Sequence, residues 1–143
     1  MTAPPPKIEL TVPRTTQYLG MVRRVVAMAA ERVGFEPTEV DMIELAIDEA
    51  CSNAVIYGTS VDGQLKISVE ITDVRFTVVL SEDGPRFPFE DKGNFNVEEQ
   101  LGASEHGGLG IYIIKRFMDE VSYTHSDECG NVITMTKLRS VPV

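Results

Sequence analysis

The sequence predicts an α+β fold: a two-layer α/β sandwich whose mixed, largely antiparallel sheet carries helices on one face. Two observations lead there. Apolar and polar residues alternate along several short segments, and the later ones fall into neighbouring pairs joined by tight turns, as in hairpins. Between them lie longer segments whose apolar residues recur at helical spacing. The resulting order is β-α-α-β-β-loop-α-β-β, with no internal repeat.

Met1 to Pro6 is Pro-rich and is expected to be an unstructured lead. Ile8, Leu10 and Val12 alternate with Lys7, Glu9 and Thr11, a strand that Pro13 stops. Thr15 or Thr16 can cap a helix that reaches about Val33 and that Gly34 closes. Its apolar positions are Leu19, Val22, Val26, Met28, Ala29 and Val33. Pro37 and Thr38 open a second helix, with Glu36, Glu39 and Asp41 where the helix dipole favours acids. It runs to about Tyr57, and Gly58 ends it. Residues 64–72 and 74–81 alternate as two strands turning near Asp73. From Glu82 to Gly108 the pattern dissolves among glycines, prolines and charges. A loop of that length in a compact domain is commonly a lid or a binding loop, here about 84–107. Leu109 to Met118 reads as a third helix, and 120–125 with 131–138 as a closing hairpin. One domain is therefore expected over 7–139, followed by a tail at 140–143.

Composition narrows the function. The chain has 143 residues, 43% of them hydrophobic and 24% charged, which suits a globular domain rather than a disordered one. Its formal net charge of −9 argues against a nucleic-acid backbone as the main partner, because phosphates need clustered positive charge. It still permits one small polyanion held by backbone N–H groups and a metal ion. No apolar run approaches a membrane span, and the N-terminus lacks the pattern of a secretion signal. Cys51 and Cys129 make neither a disulfide framework nor a zinc site. A soluble protein of the cytoplasm is the expectation.

Three motifs could carry chemistry. On the second helix, Val40, Ile43, Ala46, Ile47, Ala50, Cys51 and Ala54 project into one core arc. Glu49 and Asn53 lie at its margin, one turn apart, near Met42, Leu45 and Ile56. An Asn oxygen there can ligate Mg²⁺, and the Glu can accept a proton from an attacking hydroxyl. Spacing alone favours a polar pair on a helix flank. Second, Glu82-Asp83-Gly84-Pro85 follows a strand directly. It reads as a turn, or as a strand-end carboxylate able to accept a hydrogen bond from an amino group such as that of adenine. Third, His106-Gly107-Gly108-Leu109-Gly110 ends the loop and opens a helix, where successive N–H groups can hold an anion. Together, in this order, the three motifs describe one nucleotide pocket.

These residues resemble the GHKL ATPases and, more closely, the anti-sigma-factor serine kinases of bacteria. Glu44 to Ala54 is similar to their N-box, and Gly107 to Val121 to their second glycine box and the helix after it. The resemblance implies a Bergerat ATP-binding fold from about Ile8 to Leu138. It implies that Glu49 is the base acting on a partner's serine, and that Asn53 holds Mg²⁺ against ATP. It also implies that Gly108 and Gly110, with their neighbours, cradle the phosphates. At the first glycine box, Asp-x-Gly-x-Gly in the family, this chain aligns Glu82, Gly84 and Arg86, with Asp83 as a second acid. His106 stands where members often carry Arg, and Val132 aligns with a Thr near adenine. The implied partners are a STAS-type anti-anti-sigma protein and a sigma factor, with the kinase a homodimer. The alternative on the same fold is a partner-binding switch module without catalysis.

Overall fold

The chain's inner sheet face is made by the alternation anticipated above. In the computed structural model, which describes residues 4–57, 63–86 and 106–140, β1 (Lys7–Pro13), β2 (Gln64–Ile71), β3 (Arg75–Glu82), β4 (Glu120–Ser126) and β5 (Gly130–Leu138) form one sheet in the order β1-β2-β3-β5-β4. Every neighbouring pair is antiparallel, so among the described strands the sheet is wholly antiparallel where the sequence left room for a mixed one. Register puts Val12, Leu65, Ile67, Val69, Phe76, Val78, Leu80, Ile133 and Met135 on one face, all buried. The opposite face carries Lys66, Ser68, Thr77, Ser81, Thr134 and Ser122, as expected of a sheet with only one side in the core.

The helices cover the apolar face. Thr15 caps a 3₁₀ turn, Thr16–Tyr18, through a hydrogen bond from the Gln17 N–H at 3.3 Å. The turn leads into α1 (Leu19–Arg32), so the first helix starts a turn later than its cap suggested. Gly34, at φ +96°, ends it. In α2 (Pro37–Tyr57) the Glu39 carboxylate accepts the Glu36 N–H at 3.4 Å, half of a capping box. The third helix, α3 (His106–Phe117), begins three residues earlier than its apolar pattern indicated. Most of the expected lid, at 87–105, lies outside the described residues, as do 1–3 of the lead and 141–143 of the tail.

Two side chains stitch the layers. The Lys137 ammonium, buried on the inner face of β5, donates to the Phe117 carbonyl at 2.9 Å and so closes the C-terminus of α3. Phe35, after α1, meets Phe76 of β3 edge to face at 5.5 Å. Arg23 of α1 reaches Glu44 at 3.2 Å and Asp48 at 4.0 Å on α2, so it bridges the two helices. Met21 and Met28 are about half exposed (48% and 52%) on one side of α1.

Candidate active site

The functional residues gather at one end of the sheet because of how the elements run. Pro13 ends β1, Glu82 ends β3, and Gly130 and Asn131 begin β5, all at the same end. The C-terminus of α2 arrives there too, since the Arg14 guanidinium donates to the Val55 carbonyl at 3.4 Å. At the opposite end, Lys137 pins the last carbonyl of α3. The 12 residues of α3 rise about 18 Å, close to the roughly 20 Å of strand between Lys137 and Asn131. The glycine-rich N-terminus of α3 is thereby carried toward the end where Glu82 and the last turns of α2 stand. The two helices pack side by side.

On α2, Asn53 is buried and Glu49, one turn earlier, is half-buried. Leu45 and Ile56 flank them, exposed. The helix turns its other flank inward: Ala46, Ile47, Ala50 and Ala54 are in the core. Cys51 is there as well, its thiol pushed up to about 12 by burial and then by the nearby Asp48 carboxylate. It is an inert core residue, whereas Cys129 is exposed in the β4–β5 turn.

Among the expected site residues whose burial is described, Glu82 is the most enclosed. Its side chain is 1% exposed on the helix-facing side of β3. One carboxylate oxygen, Oε1, accepts the Gly84 N–H at 2.9 Å and the Asn131 side-chain amide. That amide also donates to the carbonyls of Gly84 at 3.2 Å and Pro85 at 2.7 Å, and the Asn131 oxygen accepts the Tyr123 hydroxyl. The other oxygen, Oε2, is buried with no hydrogen-bond partner, and Arg14 Nε stands 3.8 Å from it. A Cβ at Gly84 would lie 2.8 Å from both oxygens, so a larger residue there would shift the Glu82 carboxylate. Gly130, at φ +67°, lets β5 pass against the Glu82 carbonyl, which a Cβ would strike. Arg86 lies over the Tyr123 ring at 5.9 Å.

The geometry joins Glu82 and Gly84, while Asp83 is exposed and makes no part of the buried cluster. For His106, Gly107, Gly108, Leu109 and Gly110 the backbone is helical from its first residue, as an anion site requires. Sequence reasoning missed Arg14 and Asn131. It also aligned Val132 at the adenine position, but Val132 pairs with Ser81 on the outer face, and Asn131 is the residue opposite Glu82. The strand-end acid was the only signal for Asn131: its register partner had to be polar.

The site fits a metal-bound nucleotide. An unpartnered, buried carboxylate oxygen calls for a donor from a ligand. Among the described residues no three His, Cys, Asp or Glu side chains converge as a metal site. A metal here would rest on Asn53 and phosphate oxygens, a hard donor set that suits Mg²⁺.

Comparison with known proteins agrees. The signature of the Histidine kinase-like ATPase domain matches residues 12–137. The chain belongs to that family. Among its ATPase-domain relatives is the serine-protein kinase RsbW of Bacillus subtilis, 30% identical over 136 residues covering 91% of this chain and 84% of RsbW. The protein of the same name in Halalkalibacterium halodurans is 29% identical over 93% of this chain and 83% of its own. Of solved structures, the RsbU and RsbW domains of Rv1364c from Mycobacterium tuberculosis superpose with a TM-score of 0.69 at 19% identity, over 97% of this chain and 34% of that one. The SiaB–SiaC complex from Pseudomonas aeruginosa gives a TM-score of 0.57 at 10% identity, over 92% of this chain and 88% of that one. Both share the histidine kinase-like ATPase fold with this chain. No helix among the described residues is long and apolar enough to cross a membrane.

Proposed function

We propose that this chain is an ATP- and Mg²⁺-dependent protein-serine kinase that phosphorylates a STAS-type anti-anti-sigma protein and sequesters a sigma factor. The observation that carries the reading is the pairing on α2 of a half-buried Glu49 with a buried Asn53, at the end of the sheet toward which α3 points its glycine-rich start. Relatives named serine-protein kinase support it.

In this reading Glu49 accepts the proton of the partner's serine hydroxyl, which needs a carboxylate near the acceptor oxygen and nothing more elaborate. Asn53 holds the metal through its side-chain oxygen. Backbone N–H groups of 106–110 take the phosphates, with His106, Gly107, Gly108, Leu109 and Gly110 lining the turn, and Glu82 takes the base with Asp83 and Gly84 beside it. When bound, Mg·ATP supplies the phosphoryl group and neutralises its charge. The protein's share is positioning. The half-exposed Met21 and Met28 support a homodimer, and the protein works in the cytoplasm on soluble partners.

Radiolabelled ATP, Mg²⁺ and a cognate STAS protein are expected to give phosphoserine. Glu49→Ala abolishes transfer and largely spares nucleotide binding, whereas Asn53→Ala weakens Mg·ATP. Transfer that survives Glu49→Ala undiminished refutes the assignment. One observation favours a second reading, a binding module without turnover: Glu82 is already held by Asn131 and Gly84 and faced by Arg14. Calorimetry separates the two, since absence of heat with both ATP and ADP supports the module.

A further inference from the structure

Arg14 stands where several elements end or begin. It follows β1 directly, and its backbone N–H donates to the Gly63 carbonyl at 2.9 Å, just before β2. Its buried side chain reaches the last turn of α2, where Nη1 donates to the Val55 carbonyl at 3.4 Å. Nε lies 3.8 Å from Glu82 Oε2 at the end of β3. The guanidinium is seated against Gly63, where a Cβ would lie 2.6 Å from Nε and 3.1 Å from Nη2.

The end of α2 depends on this side chain. The last carbonyls of an α-helix have no partner within the helix, and its C-terminus carries partial negative charge. The last turn of α2 has no basic residue of its own. Arg14 brings both a donor and a cation from another element, and Glu82 compensates the buried charge. Asn53 lies one turn before Tyr57, the last residue of α2, so its backbone carbonyl takes the final hydrogen bond of the helix. Unwinding of 55–57 would release it. Apolar burial resists that only weakly: of Ala54, Val55, Ile56 and Tyr57, Ala54 alone is buried, and Ile56 is 51% exposed.

Resting on the reading of Asn53 as the Mg²⁺ ligand, we propose that Arg14 is a positioning residue for the metal. By fastening the last turn of α2 it holds the Asn53 side-chain oxygen where Mg²⁺ requires it. Mg²⁺ demands near-ideal octahedral geometry, so a ligand on a loosened turn binds it poorly.

ADP is titrated calorimetrically, in Mg²⁺ and in EDTA, into the full chain and into Arg14→Met, Arg14→Lys, Gly63→Ala, Asn53→Ala and the combination of Arg14→Met with Asn53→Ala. The native chain is expected to bind ADP more tightly in Mg²⁺. Arg14→Met shrinks that gain by about tenfold and leaves the affinity in EDTA within about twofold. Arg14→Lys keeps part of the gain, because an ammonium still donates to the Val55 carbonyl. Gly63→Ala displaces the guanidinium without removing its charge, lowers the gain in the same direction, and serves as the test if Arg14→Met does not fold. In the Asn53→Ala background Arg14→Met takes nothing further from the gain, since the two act through one ligand. Hydrogen exchange without nucleotide is expected to show the amides of 55–57 opening faster in Arg14→Met relative to those of 43–50 in the same helix. A merely structural Arg14 lowers stability and both affinities in parallel while the Mg²⁺ gain holds, and that result overturns the proposal. If the native chain binds ADP equally in Mg²⁺ and EDTA, the metal reading of Asn53 fails and the positioning role with it. If Mg²⁺ helps and the gain is unmoved in Arg14→Met and Gly63→Ala, the positioning role alone is refuted.

Discussion

Arg14 and Arg23 show how differently the same side chain acts in two settings. Arg14 is 6% exposed and faces a carboxylate that is 1% exposed, whereas Arg23 keeps 40% of its surface in solvent. Breaking a buried pair strands a charge and costs about 3–5 kcal/mol, while an exposed pair contributes about 1 kcal/mol or less. Arg14→Met is therefore expected to cost several-fold more stability than Arg23→Ala in urea denaturation, and adding Glu82→Leu to Arg14→Met to recover much of the loss. Equal effects would show that the Arg14 pair is not desolvated in solution. Cys51 supplies a second residue-level expectation. Its thiol keeps its proton to about 12 in the folded chain against an ordinary 9.0, so on raising the pH the unfolded chain ionises first. Its contribution to stability is intact below pH 9 and is lost progressively as the pH rises from 9 toward 12. Over that range the stability of Cys51→Ala should fall less steeply than that of the native chain. Glu49 and Asn53 were legible as a pair because a helix places residues four apart on one face, whatever else the chain does. Asn131 was not. Shifting β5 by one residue exchanges Asn131 for Val132 on the inner face, and only pairing with β3 fixes that choice.

Among the elements, α3 rests on the least obvious contact. Its last carbonyl is held by Lys137, a cation on the inner face of a core strand. A charged residue at that position contradicts the apolar alternation of Ile133 and Met135, and its reason becomes visible only when the helix end is seen above it. Lys137→Met keeps the bulk and removes the cap and the dipole partner. The expected cost is about 1 kcal/mol, read as a lowered thermal midpoint. An unchanged midpoint would mean that α3 is fastened elsewhere. The strands and α2 were readable within a residue or two because each has a clear period. The first turn of α3 was not, since His106, Gly107 and Gly108 carry no apolar pattern and the helix there is identified by its backbone alone.

At the scale of the whole molecule, nucleotide and fold are coupled. A ligand that binds only the folded chain stabilises it by about 2.7 kcal/mol at a hundredfold excess over its Kd. Mg·ADP should accordingly raise the midpoint of the full chain, and EDTA should remove part of that gain if Asn53 holds the metal. A midpoint indifferent to ADP in either condition would remove the nucleotide from this protein altogether. The sheet order has one more consequence. β5 sits between β3 and β4, although it leaves the ribosome after both. While it is still in the exit tunnel, β3 has no neighbour on one side and Glu82 has no Asn131. The earlier strands must wait with a pairing edge open, at risk of joining a second nascent chain. In the proposed nucleotide site, Glu82 therefore gains its Asn131 partner only once β5 has slotted in beside β3.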